Sequence, residues 1–133
     1  MTLECVLDAS AVLALLQAEP GCDTVLSRVE RGSCWISAVN VTEVLTRLID
    51  RGMTSNDAET AFDALDLSVA AFDDVAARTC ASLRPASRTL GLSMGDRACL
   101  ALAQVRKLPA LTADRAWAQL DCGVVIEQIR PPA

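Results

Sequence analysis

The chain opens on a short apolar run, residues 3–7, that closes on Asp8. A run of this length bounded by a polar residue predicts a buried strand. Residues 11–18 are apolar nearly all round and predict a buried helix, with Ser10 placed to cap it and Pro20-Gly21 to stop it. A second helix is expected over 23–31, ended by Gly32, and another buried strand over 34–37. From 40 to 51 the apolar residues Val41, Val44, Leu45, Leu48 and Ile49 recur at helical spacing until Gly52. Residues 55–65 repeat that pattern through Ala58, Ala61, Phe62 and Leu65, and 67–70 predict a short strand. Asp73 or Asp74 starts a helix reaching about residue 83, and the Pro, Ser and Gly of 84–92 predict a loop. A strong helical pattern follows over 93–107, with Ala98, Leu102 and Val105 expected to face inward. The chain then predicts a strand over 109–112, a short helix over 114–120 and a last strand over 124–129.

Strands that alternate with helices imply an α/β fold: a parallel sheet of about five strands with helices on both faces. No internal repeat or linker interrupts the pattern, so residues 1–133 are expected to form one domain. Hydrophobic residues make up 52% of the chain, which excludes extended disorder. No apolar run approaches the roughly 18 residues of a membrane span, and Glu4 and Asp8 break any leader-like opening. A soluble, cytoplasmic protein is the expectation.

Charge and chemistry narrow the picture further. The 17 acids against 12 bases leave a net charge of -5, so no global basic field attracts a polyanion. Only Trp35, Trp117, Phe62 and Phe72 are aromatic, which leaves little for stacking bases. Histidine and tyrosine are absent, which removes Ser-His-Asp and Cys-His machinery and tyrosine nucleophiles. The six cysteines have no C-x-x-C spacing and read as small hydrophobes in a reducing compartment.

What remains is carboxylate chemistry. Asp8, Glu43, Asp96 and Asp114 each fall at a predicted strand end or in the first turn of a helix. Singly, each has a sufficient local role: Ser93 with Asp96 and Asn40 with Glu43 have capping-box spacing, and Asp114 can cap its own helix. Jointly they imply more, because the carboxyl ends of parallel strands meet at the switch-point crevice of such a sheet. Carboxylates gathered there repel one another, and a hard divalent cation such as Mg²⁺ or Mn²⁺ relieves the repulsion.

Four segments, VLDASAVLALL at 6–16, ISAVNVTEVLTRL at 36–48, LSMGDRACLALA at 92–103 and LPALTADRAW at 108–117, resemble in that order the PIN-domain ribonucleases of VapC-type toxins. The resemblance spans nearly the whole chain and places Asp8, Glu43, Asp96 and Asp114 on the family's acidic metal-binding positions. Ser10 matches the hydroxyl two residues after the first acid, and Asn40 and Thr112 match supporting polar residues. It implies Mg²⁺-dependent hydrolysis of RNA leaving a 5′-phosphate, with Mn²⁺ able to substitute. A VapB-type antitoxin partner and a homodimer follow from the same likeness. Arg97 and Arg115, each beside a site acid, are expected to meet phosphate or to pair with those acids, and Trp117 to pack in the core.

Two other acidic α/β classes fit less well. A receiver-type phosphorylation domain needs a pair of acids after its first strand and a lysine late in the sheet, whereas Asp8 has no acidic neighbour and Lys107 ends a helix. A phosphatase of the Asp-x-Asp type finds Ser10 where its second acid belongs. A PIN scaffold that only binds a partner is the third alternative.

Overall fold

A computed structural model describes residues 4–131. Five strands form one sheet: β1 (Cys5–Leu7), β2 (Cys34–Ser37), β3 (Ser68–Ala70), β4 (Ala110–Thr112) and β5 (Ile126–Gln128). Their order across the sheet is β3-β2-β1-β4-β5, and every neighbouring pair is parallel. Seven α-helices connect them: α1 (Ala9–Leu16), α2 (Cys22–Arg31), α3 (Ala38–Asp50), α4 (Ser55–Asp63), α5 (Asp74–Ser82), α6 (Arg84–Ser87) and α7 (Met94–Arg106).

The period-two alternation of side chains divides β1, β2 and β4 between two cores. Cys5, Leu7, Cys34, Ile36 and Leu111 join the residues of α1 to α4 on one face, among them Val12, Val25, Val44, Leu48 and Phe62. Val6 and Ala110 face the other side, where they meet Ala98, Leu100, Ala101 and Ala103 of α7, Cys80 of α5 and the fully buried Trp117. The predicted α/β class with helices on both faces is thus the observed one.

Local differences have physical causes. The first helix is capped by Asp8 and not by Ser10, because the Asp8 carboxylate reaches the Ala11 amide at 2.8 Å. Residues 84–92 are not a loop: α6 begins with Pro85 in its first turn, where a missing N–H costs nothing, and a 3₁₀ turn over Arg88–Leu90 ends at the left-handed Gly91. The short helix after Asp114 is a 3₁₀ turn, Arg115–Gln119. Val105 is exposed, since the inward stripe of α7 runs through Ala98, Ala101 and the half-buried Leu102. The predicted first strand loses Glu4 from its range, and Leu3 lies outside the described residues. Among the described residues no helix is long and apolar enough to cross a membrane.

For the site, the decisive feature is that all five strands point the same way. Their carboxyl ends form one edge, and β1 sits at the centre of that edge between β2 and β4. The chain leaves β1 on one side and returns to its other side as β4, which makes the β1/β4 boundary the switch point.

Gly21 ties the start of α2 to the end of the sheet. Its φ is +96°, and a Cβ there would fall 2.8 Å from both the carbonyl oxygen and Cγ1 of Ile129. Gly52 has φ +108° but open space around it. Gly21→Ala is therefore expected to cost more stability than Gly52→Ala, by about 1 to 3 kcal/mol beyond the backbone strain both share. Equal losses in denaturant unfolding of the two variants would show that contact with Ile129 carries no cost.

Candidate active site

Asp8 follows the last residue of β1 and is 4% exposed. One carboxylate oxygen accepts from Ser10 Oγ at 2.7 Å and from the Ala11 amide at 2.8 Å, and the other accepts from Thr112 Oγ1 at 2.6 Å. Thr112 closes β4, so this bond crosses the switch point between the two central strands. Ser10 Oγ accepts in turn from the Ala113 amide at 2.9 Å, and Thr112 Oγ1 accepts from the Asp114 amide at 3.0 Å. Every donor of this small network therefore aims at Asp8 or at a hydroxyl that holds it.

Burial dominates the titration of Asp8. Desolvation lifts its carboxyl from the ordinary 3.8 to about 6, against the lowering effect of bonds from Thr112, Ser10 and Ala11, and the charge of Asp96 adds to the rise. Three donors are not enough to offset loss of water.

The other acids come in from helix starts. Ser37 caps α3, accepting from the Val39 amide at 3.2 Å, so Asn40 and Glu43 lie inside the helix and form no capping box. That frees the buried Asn40 to donate to Glu43 Oε1 at 2.7 Å and to the Gly95 carbonyl at 3.0 Å. Its own Oδ1 is buried without a hydrogen-bond partner. Glu43 is thereby laid against Gly95 of α7, so close that a Cβ at that position would overlap the carboxylate. Asp96 sits next to this contact. It completes a true capping box with Ser93: its Oδ2 accepts from the Ser93 amide at 2.9 Å, and Ser93 Oγ accepts from its amide at 3.2 Å.

Beneath these residues lies the fully buried Cys99. Its thiol is pushed well above its ordinary range by burial first and then by the charges of Asp8, Asp96 and Glu43. One buried point thus feels three acids from β1, α3 and α7. Asp114 is reached through Thr112, but it is exposed and its Oδ1 caps the turn that follows by accepting from the Ala116 amide at 2.9 Å. Among the described residues no three acids or thiols are already drawn together as a metal cage. Asp96 and Asp114 are instead each engaged by a local capping bond.

Among the described residues no ion pair reaches any of the four acids. Among the described residues the ion pairs join Arg28 to Glu127, Arg51 to Glu19 and Arg78 to Asp74. Arg97 is adjacent to Asp96 yet turns to the Cys80 carbonyl at 3.3 Å, and Arg115 turns to the Pro131 carbonyl. Of the two roles expected of these arginines, pairing with the acids does not occur among the described residues. Trp117 is fully buried and packs in the core, as its sequence context predicts. Gly95 and Cys99 carry no candidate chemistry in the sequence, though a glycine in the first turn of an otherwise regular helix signals close approach of another group. The donor set is entirely oxygen and uncompensated, which suits a hard divalent cation.

A sequence model of the PIN domain matches residues 5–122. No curated protein matches the chain by sequence. Among solved structures the chain is similar to one in VapBC-5, a member of the VapBC family of toxin-antitoxin systems from Mycobacterium tuberculosis. The two share 27% identity over 97% of this chain and 99% of that one, with a TM-score of 0.58. DNA-bound VapBC from Salmonella typhimurium matches at 18% identity and TM-score 0.74, covering 97% and 99% of the two chains. The sarcin-ricin loop cleaving toxin VapC20 of Mycobacterium tuberculosis matches at 16% identity and TM-score 0.71, covering 91% and 98%.

Two outcomes follow from this geometry. Because the folded carboxyl of Asp8 holds its proton up to about 6 and the unfolded one only to 3.8, the metal-free protein loses stability as pH rises through that window. The loss amounts to as much as about 3 kcal/mol. Above it the penalty is constant. Unfolding in chelator at pH 4.5 and pH 7 should show this slope, and Asp8→Asn should remove it; equal slopes in both proteins would refute the assignment. Gly95→Ala should displace the Glu43 carboxylate while gaining up to about 1 kcal/mol of helix propensity. Unchanged or raised stability with impaired function is expected, and a severely destabilised variant would mean that Glu43 cannot yield.

Proposed function

Because the chain belongs to the PIN-domain family, we propose that it is a metal-dependent endoribonuclease, the toxin of a VapC-type toxin-antitoxin pair. The observation that carries this reading is the uncompensated set of acids at the carboxyl edge of the sheet, three of which act on the single buried thiol of Cys99. Similarity to VapC20, described as a toxin that cleaves the sarcin-ricin loop, and to chains of VapBC complexes supports it.

Asp8, Glu43, Asp96 and Asp114 would hold Mg²⁺, for which Mn²⁺ can substitute. Such an ion supplies a bound water of lowered pKa and screens the negative charge that develops on a scissile phosphodiester. The protein's own contribution is orientation. Ser10 and Thr112 fix both oxygens of Asp8, and Asn40 fixes Glu43 against Gly95, so these carboxylates enter the site with their directions set. Cation binding also solves an electrostatic problem, since a bare cluster of acids in a protein of net charge -5 repels RNA. Hydrolysis leaves the 5′-phosphate product that the family likeness implies.

A ribonuclease active in its own cytoplasm requires restraint, and the partner we assign is a VapB-type antitoxin. The same acids that would hold the ion are a receptor for an Arg or Lys side chain of that partner, through charge-assisted hydrogen bonds. Apolar contacts from a partner helix would supply most of the affinity. A homodimer is the expected assembly of the toxin.

The test uses purified protein without partner on structured RNA. Cleavage is expected with Mg²⁺ or Mn²⁺ and not in EDTA. Asp96→Asn, which keeps size and much of the capping ability, should lose more than about 100-fold in rate. Mg²⁺ should raise the Tm of the wild type more than that of this variant. Cleavage that persists in EDTA, or a folded Asp96→Asn protein of full activity, would overturn the proposal; a PIN scaffold that only binds would cleave under no condition.

A further inference from the structure

At the opposite edge of the sheet, β1 and β2 both begin with cysteine. Cys5 and Cys34 are register partners on adjacent parallel strands, and their sulfurs lie 3.5 Å apart. Neighbouring strands are spaced about 4.7–4.9 Å. That spacing falls within the Cα separations of about 4.4–6.8 Å that disulfides span, so the two strands already stand at a distance a disulfide can bridge. Both are free thiols, as are the other four cysteines.

The two thiols are not equivalent. Both are buried, Cys5 fully and Cys34 at 4% exposure, but Cys34 also lines a cavity of about 330 Å³ whose walls include Ser33, Asp66 and Ser68. Arg28 of α2 pairs with Glu127 and extends its charge to both sulfurs, while its Nε is buried with no hydrogen-bond partner. The hydrogen bond from Cys5 first, and Arg28 second, hold the Cys34 thiol below its ordinary value against the effect of burial. The same pairing and burial push Cys5 far up. A cysteine that lines a cavity is the one a small oxidant reaches first, and a second sulfur 3.5 Å away is the arrangement of its resolving partner.

We propose that Cys34 and Cys5 form a peroxide-oxidisable dithiol in which Cys34 reacts first and Cys5 closes a disulfide between β1 and β2. The Cys34 thiolate attacks hydrogen peroxide, breaking the O–O bond and forming an S–O bond; the departing hydroxide takes a proton and leaves as water. Cys5 then gives up its proton and its sulfur attacks Cys34 Sγ, forming the S–S bond and expelling the hydroxyl as a second water. Two thiols lose two electrons in total and one peroxide is reduced to two waters. The bond would join the central strand, which carries Asp8 at its other end, to its neighbour. This site shares no residue with the acids and does not depend on the ribonuclease reading.

The experiment treats the reduced, full-length protein with limiting hydrogen peroxide, alkylates the remaining thiols and maps peptides without reduction. Cleavage after Glu4 and Glu19 separates Cys5 from Cys22. The half-buried Cys22 and Cys122 serve as internal controls for simple accessibility. The expected product is one cross-linked peptide pair, Cys5 with Cys34, two hydrogens lighter than the free thiols, formed several-fold faster than either control is consumed and reversed by dithiothreitol. In Cys5→Ala, Cys34 should accumulate a sulfenic acid that dimedone traps; in Cys34→Ala, Cys5 should stay reduced. Oxidation of Cys22 and Cys122 while Cys5 and Cys34 remain reduced would overturn the proposal, as would cross-linking of Cys5 to any other cysteine.

Discussion

The structure turns on the burial of one carboxylate. Asp8 lies at the end of the central strand, out of water, and its charge is tolerable only where donors replace the lost hydration. A hydrogen bond to a charged acceptor contributes about 1.5 to 3 kcal/mol, so Ser10, Ala11 and Thr112 together offset much of the desolvation cost. They do not offset all of it, as the upward shift to about 6 records. The remaining deficit is what a cation would relieve. Meeting it also fixes the fold locally, because the donors come from α1 and from β4 and therefore pin the central strand to the elements on either side of the switch point.

Much of this was legible in the sequence, and the reasons differ by element. The parallel sheet follows from short apolar runs alternating with helical patterns, since each period is imposed by backbone geometry. Asp8, Asp96 and Asp114 were legible as residues at element boundaries, which sequence punctuation marks well. Their partners were legible only in part. Ser10 carries the right chemistry but does not cap the helix, because the helix starts earlier with Asp8 as its cap and the Ser10 hydroxyl donates to that carboxylate. Asn40 looks like a cap from its spacing to Glu43, yet the helix starts earlier at Ser37, and only that shift turns Asn40 inward as a bridge to Gly95. Segment 84–92 hid two helical turns, since Pro and Gly mark helix ends as readily as loops. The register of Cys5 with Cys34 is a tertiary fact that no local pattern encodes.

Capping and catalysis are often opposed as explanations of an acid at a helix start, and the geometry here makes the two compatible. The Asp96 carboxylate accepts from the Ser93 amide through Oδ2, and the Asp114 carboxylate accepts from the Ala116 amide through Oδ1. Each cap engages one oxygen and leaves the other outside these bonds. The cap sets the direction of the side chain and the helix dipole stabilises its charge by about 0.3 to 1 kcal/mol, so orienting the acid costs the fold little. A site assembled from caps therefore needs no strained backbone to hold its charges. Among the acids only Asp8 requires a buried network of its own.

The parallel sheet also separates two chemistries by its polarity. The carboxyl ends of the strands lead into helix starts that carry the acids, while β1 and β2 begin with thiols that feel the charge of Arg28, itself paired with Glu127. Carboxylates and thiols thus occupy opposite edges of the sheet, the thiols at the starts of β1 and β2. Cys99 is the exception that marks the boundary: it lies beneath the acids, and burial first, then their charges, favour its protonated form. A thiol so placed does not compete with oxygen donors for a cation, because a soft ligand binds metal only as the thiolate. Burial and the acids' charge thus act together to keep this thiol out of the oxygen-donor chemistry above it.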